Sequence, residues 1–191
     1  MRERDPESRK RLLLDAALAE FAARGLAGAR VDAIAAGARC STGLVYAHFG
    51  SKEALFDAVV DDVVGRTIDQ VPVVPEDLPG YAARLYDATA AAPDIERLLA
   101  WHQLEREPAA QPLPTMTQAT RQTIDVVAAA QQAGTVPARL TAPELVLAVQ
   151  TIARMWSTQP ISVLTAVAGA EDHAARRHAV RSAVAALVSV A

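Results

Sequence analysis

Residues 37–56 read GARCSTGLVYAHFGSKEALF. Two breaks frame one short apolar run. Residues 39–41 form a turn, Ser41 is a cap for a helix over about 42–48, and Gly50-Ser51 stops that helix and caps the next. That next helix spans about 52–69, with Leu55, Phe56, Val59, Val60, Val63 and Val64 on one face. Working backwards, Val31, Ile34, Ala35 and Ala38 share one face of a helix over about 31–38, and Leu26–Arg30 is a loop. A first helix over about 9–24 begins at Ser8 and ends at Gly25, with Arg24 in its last turn.

Two short helices joined by a three- or four-residue turn, the second capped by serine, form a helix-turn-helix. In such a unit the first helix packs across the second and holds it proud of the surface. The start of the second then fits a DNA major groove about 12 Å wide. Ala35 and Ala38 are small enough for close approach, and Val45 and Phe49, four apart, point to the core. Thr42, Gly43, Leu44, Tyr46 and Ala47 remain on the outer side.

The rest of the 191-residue chain is consistent with this. Apolar residues make up 51% but aromatics only 4%, so alanine, valine and leucine fill the interior, which favours helices. No stretch alternates for long enough to specify a sheet. The net charge of −3 is unevenly spread: residues 2–52 hold nine Lys/Arg against six acids, and residues 67–191 hold nine against twelve. The excess of positive charge at the N-terminal end points to an anionic partner there. One cysteine excludes an intrachain disulfide framework. The absence of an apolar signal region and of an eighteen-residue apolar run leads us to expect a cytoplasmic protein without a membrane span.

Prolines at 72, 75 and 79 end the fourth helix and mark a boundary. Beyond it, helices are expected over about 79–91, 94–107, 115–133, 141–157 and 172–190, nine in all, with Pro160 and the Gly169 region among the breaks. Tyr86, Trp101, His102, Met116, Gln150, Arg154, Met155 and Trp156 are candidates for a small-molecule pocket between these helices. Leu145, Val149, Ile152 and Trp156 form one apolar face, and Ala179, Val180, Ala183, Val184, Leu187 and Val188 another. Both need cover, and we expect a two-fold homodimer built on the last two helices. His102, His173 and His178 lack metal-ligand spacing, so no metal and no cofactor is expected. No nucleophile motif or phosphate loop supports an enzyme.

The string Ser41-Thr42-Gly43-Leu44-Val45-Tyr46-Ala47-His48-Phe49-Gly50-Ser51-Lys52-Glu53-Ala54-Leu55-Phe56, with Val31–Ala35, Ala38 and Phe21–Gly25, resembles the tetracycline-repressor (TetR) family of bacterial regulators over about residues 8–60. The resemblance implies base contacts from Thr42, Gly43, Leu44 and Ala47, and phosphate contacts from Tyr46, His48 and Lys52, with Ser41 and its backbone amides beside them. Arg30 stands where the family usually has a Ser or Thr cap, a loss of about 1 kcal/mol, and its guanidinium is a candidate phosphate ligand. The turn, usually Gly-Val in the family, is Arg39-Cys40. A left-handed Arg39 would carry roughly 1–2 kcal/mol of strain and add a cation to the DNA face, while Cys40 stands for a small apolar residue.

The expectation is thus an all-α chain. Residues 1–52 form a DNA-binding domain, a fourth helix over 53–69 connects, and 70–191 bind an unidentified small-molecule effector and dimerise. The function is that of a ligand-responsive transcriptional regulator, most simply a repressor, on a near-palindromic double-stranded operator. The alternative is a helical ligand-binding or protein-interaction module whose helix-turn-helix has lost DNA binding.

Overall fold

The computed structural model describes residues 6–105, 112–158, 161–169 and 172–189, which hold eleven α-helices, one 3-10 turn and no strand. In chain order the helices are α1 (Pro6–Gly28), α2 (Val31–Gly37), α3 (Thr42–Phe49), α4 (Lys52–Gln70), α5 (Leu78–Ala91), α6 (Pro93–Glu105), α7 (Pro114–Gln132), α8 (Ala142–Ala153), α9 (Met155–Thr158), α10 (Ile161–Ala168) and α11 (His173–Val188), with the 3-10 turn at Pro75–Asp77 before α5. The described residues group into two compact units, one drawn from 1–66 and 93–116, the other from 67–92 and 117–191.

In the first unit α1 carries its apolar side chains at helical spacing, so Leu13, Leu14, Ala17 and Phe21 all face inward and are buried. Against them α4 lays Leu55, Phe56, Val59, Val60 and Val63, each wholly excluded from solvent. Phe21 and Phe56 meet edge to face, ring centres 4.9 Å apart, the arrangement aromatic quadrupoles favour. Ile34 and Ala35 of α2, Val45 of α3 and Leu98 of α6 close the same core, and His102 stacks on Phe56 at 6.0 Å. At the surface Arg11 and Arg66 reach Asp15 and Asp62 at 2.6–3.8 Å, tying α1 to α4.

The expected end of the first helix at Gly25 is visible as a break: its backbone adopts φ 70 and ψ −179, and one further turn follows to Gly28.

In the second unit α5 is central, packed by α8 and α11, with Val127 and Ala130 of α7 completing the core. Three acidic groups start helices here. Asp77 Oδ1 accepts the Gly80 N–H at 2.9 Å, Asp172 Oδ1 accepts that of Ala175 at 2.7 Å, and Glu144 Oε2 accepts the Thr141 N–H and hydroxyl at 2.8 Å each.

Three expectations need correcting. The helix expected over 141–157 breaks at Arg154 (φ −101, ψ 4), which separates α9 from α8. The region expected as a break from Pro160 to Gly169 contains α10 (Ile161–Ala168), closed by Gly169 at φ 85; proline and glycine punctuate a break and flank a helix alike. Together these give eleven helices instead of nine. Third, the apolar faces reserved for a second subunit are packed within the chain: Leu145, Val149, Val180 and Val184 are at most 3% exposed, and Ile152, Trp156, Leu187 and Val188 pack on the same core. Both helices lie against α5, so their apolar stripes meet an internal partner first. Ala183 alone of the C-terminal set is exposed. Residues 106, 107, 160 and 190, at ends of expected elements, lie outside the described residues, as do 1–5.

Candidate nucleic-acid interface

The turn after α2 closes with two backbone bonds, Arg39 N–H to Ala36 O at 3.1 Å and Cys40 N–H to Ala35 O at 2.9 Å. This geometry puts Arg39 at φ 56, the one non-glycine with positive φ among the described residues. Its side chain is exposed, whereas Cys40 is half-buried and packs on the first unit's core. Ser41 Oγ then accepts the Leu44 N–H at 3.2 Å, capping α3 as its position in the sequence predicts. Gly50, at φ 79, donates to Tyr46 O at 2.8 Å, and Ser51 Oγ accepts the Ala54 N–H at 3.0 Å to cap α4.

Between those caps α3 has one inward side. Val45 is 2% exposed and Phe49 is half-buried. Thr42, Gly43, Leu44, Tyr46, Ala47 and His48 are all exposed, Tyr46 at 48%. Leu44 and Tyr46 thus present apolar surface to solvent on an eight-residue helix.

Beside α3 runs a groove of about 620 Å³ lined by Arg9, Lys10, Leu12 and Leu13 of α1, by Ala38 to Ser41 of the turn, and by Leu44, His48 and Phe49. Its lining holds three cations, Arg9, Lys10 and Arg39, and no acid. In the sequence Arg9 and Lys10 are legible only as charges, because nothing local to them says which face of α1 borders the turn.

Two of the expected anion ligands are already engaged. The Arg30 guanidinium grips Asp32 through Nε and Nη2 at 3.1 and 2.6 Å; this bond holds the Asp32 carboxyl below, and the guanidinium above, their usual ranges. Asp32 also accepts the Ala33 N–H at 2.9 Å, replacing the missing cap at Arg30. Lys52 Nζ donates to the Ala27 and Ala29 carbonyls at 3.2 and 3.3 Å.

Replacing Arg39 by glycine removes left-handed strain of about 1–2 kcal/mol but restores glycine's unfolded-state freedom, worth about 0.5–1 kcal/mol. Arg39→Gly is therefore expected to leave the protein equally stable or up to about 1.5 kcal/mol more stable. A urea titration checks this.

Residues 77–185 match the family model "Tetracyclin repressor-like, C-terminal domain", and residues 13–59 match "Bacterial regulatory proteins, tetR family". The chain belongs to the TetR family. A curated relative, the HTH-type transcriptional repressor SCO4008 of Streptomyces coelicolor, is 46% identical over 105 residues. That match spans 55% of this chain and 55% of the relative, so the chain covers about half the length of the curated protein it resembles. The crystal structure of SCO4942, a transcriptional regulator from Streptomyces coelicolor, superposes with a TM-score of 0.82 at 36% identity, covering 94% of this chain and 98% of that one. A TetR-like transcriptional regulator from Rhodococcus sp. RHA1 shares the fold at 18% identity, with a TM-score of 0.68 over 97% and 98% of the two chains.

The TetR helix-turn-helix thus accounts for α2, its turn and α3. The candidate effector residues are drawn from both units. Trp101, His102 and Met116 pack on the first unit's core, whereas Tyr86, Met155 and Trp156 belong to the second. Within the second unit burial raises the Tyr81 pKa, opposed by a hydrogen bond with Gln150 and by the charges of Arg154 and Arg84. Arg176 lies 5.1 Å over the Trp156 ring, and His173 stacks on Tyr86 at 5.0 Å while bonding Asp87 at 2.9 Å. The gap among Val73, Tyr81, Thr123 and Val149 is only about 10 Å³, too small for more than one water. Among the described residues no group of three His, Cys, Asp or Glu could hold a metal ion, and no described helix is long and apolar enough to cross a membrane. Sequence reasoning missed Glu20 and Glu105, whose carboxylates serve backbone amides 10 and about 80 positions away. No sequence signal marks a carboxylate for so distant a partner.

Proposed function

We propose that the chain is a ligand-responsive repressor that binds a near-palindromic operator as a homodimer. The observation that carries the reading is α3 itself, a serine-capped helix with Val45 buried and its other outer residues presented to solvent. In this reading Thr42, Gly43, Leu44 and Ala47 meet base edges, and Tyr46 and His48 meet phosphates. Ser41 and Arg39 meet the same backbone, with Arg9 and Lys10 along the groove. A single helix of this kind reads only a few base pairs. Two copies related by a two-fold axis read two half-sites about 34 Å apart, one turn of DNA.

The second copy has the outward faces of α8 and α11 available, since their inward faces are already packed. Leu147 is 68% exposed, and His178, Arg181, Ser182 and Ala185 lie outward on α11. An effector acts by favouring one pose of the second unit, and reciprocity requires operator DNA to change effector affinity by the same factor.

The test is a selection from randomised duplex DNA with the purified full chain at stated salt. Enrichment of a two-fold symmetric site supports the reading, and recovery of no preferred sequence overturns it. On the selected site, Arg39→Gln is expected to weaken binding and to lower the slope of log K against log [salt] by about 0.9, one released counterion. An unchanged slope removes Arg39 from the phosphate contacts. Sedimentation at micromolar concentration is expected to show a dimer.

A further inference from the structure

The backbone between α1 and α2 is held at both ends by charged side chains from other helices. At Gly25 the α1 hydrogen-bond ladder is interrupted, and a new single turn begins. The first amides of a helical turn have no partner within it. Here the Leu26 and Ala27 N–H groups both donate to the Glu105 carboxylate at the last residue of α6, the Ala27 bond at 3.3 Å. At the other end, Ala27 and Ala29 present carbonyls, and the Lys52 ammonium at the first residue of α4 donates to both. The Arg30 N–H, last before α2, donates to Glu20 Oε1 at 3.1 Å. An anion thus sits at the amide end of this turn and a cation at its carbonyl end, the signs that the peptide dipoles favour.

Contact is close as well as polar. A side-chain carbon added at Gly25 would stand 2.8 Å from Glu105 Oε1 and 3.0 Å from two Trp101 ring carbons. The end of α6 therefore lies directly on the break in α1. The turn in question leads straight into α2, and α2 carries α3 across its face through Ile34, Ala35 and Val45.

We propose that Glu105 and Lys52 are positioning residues for DNA binding, acting as two halves of a clasp that fixes where α2 and α3 leave α1. Glu105 touches no DNA; it sets the register of the helix-turn-helix from α6. Lys52, placed by its sequence position at the DNA face, serves the same turn from the opposite end. The proposal rests on the DNA-binding reading above.

The experiment compares the full-length protein with Glu105→Ala and Glu105→Gln by amide hydrogen exchange without DNA, and by operator titration at several salt concentrations. Glu105→Ala is expected to speed exchange at Leu26 and Ala27 at least tenfold and to weaken the selected operator about three- to tenfold. Its salt slope is expected to stay at the wild-type value, because no phosphate contact is removed. Glu105→Gln keeps one acceptor oxygen and is expected to fall between the two. Lys52→Ala is expected to match Glu105→Ala in affinity, also with no loss of slope.

Wild-type exchange rates at Leu26 and Ala27 in Glu105→Ala overturn the clasp whatever the DNA result. Faster exchange with unchanged operator affinity shows a local cap and overturns the positioning role. A Lys52→Ala slope lower by about 0.9 assigns that side chain to phosphate and overturns its half of the proposal. Failure of the wild-type protein to bind any selected DNA defeats the functional reading instead, and the exchange data still decide the clasp.

Discussion

Phe56→Ala is expected to lower the unfolding free energy of the first unit by about 3–5 kcal/mol. The Phe56 ring is wholly buried, meets Phe21 edge-on at 4.9 Å and carries His102 stacked at 6.0 Å on another side. Removing it takes apolar area out of burial and leaves a space that three helices line. Collapse of that space is opposed because α1, α4 and α6 each hold other buried residues, Leu13, Val60 and Leu98 among them. A loss of this size is a large part of the 5–15 kcal/mol that holds a typical domain together. Urea unfolding followed by circular dichroism is expected to show an early transition absent from the wild type. Phe56→Leu, which keeps most of the volume, is expected to lose less than half as much. Equal losses for the two variants would mean that ring packing is not what Phe56 contributes.

Gly25→Ala is expected to cost about 2–6 kcal/mol. Its backbone, φ 70 and ψ −179, lies in a region populated essentially by glycine alone, and a side chain there costs roughly 1–3 kcal/mol. Crowding against Trp101 and Glu105 adds the price of overpacking, roughly 1–3 kcal/mol. A control stands three residues on. Gly28 has no positive φ, and a side-chain carbon there would meet only the Arg24 Cβ, at 3.4 Å. Gly28→Ala is therefore expected to be neutral or to stabilise by about 0.4–1 kcal/mol. Thermal unfolding of the pair separates conformational strain from a general intolerance of alanine in this segment. Similar melting temperatures for the two variants would contradict the geometry at Gly25.

What the sequence reveals follows the range over which each residue acts. Ser41 and Ser51 cap the helices that begin one residue later, and Gly25 breaks the helix in which it stands. Such effects are settled within four residues, so the helix-turn-helix is legible from a single string. Val45, buried between exposed neighbours, is equally readable from spacing. The Leu145–Val149 and Val180–Val184 stripes are legible as apolar but not as to partner, because periodicity marks a face and does not say what covers it. α10 is not legible because proline and glycine are equally common inside a break and beside the ends of a helix. Lys52 and Arg30 have the right charge in the right place for DNA, yet each has an oxygen closer at hand: backbone carbonyls for one, Asp32 for the other. Glu105 lies furthest from legibility. Its role depends on α6 returning to α1 after some 80 residues, which no pattern near Glu105 announces.

The two left-turning glycines of the first unit differ in one respect. Gly25 is hemmed in by Trp101 and Glu105, whereas around Gly50 a side-chain carbon would find nothing within 4 Å. In mechanical terms the first is a seized joint, while the second has open space where a side chain would stand. A side chain at Gly50 is therefore opposed by its backbone dihedral alone, whereas one at Gly25 is opposed by its dihedral and by α6 together.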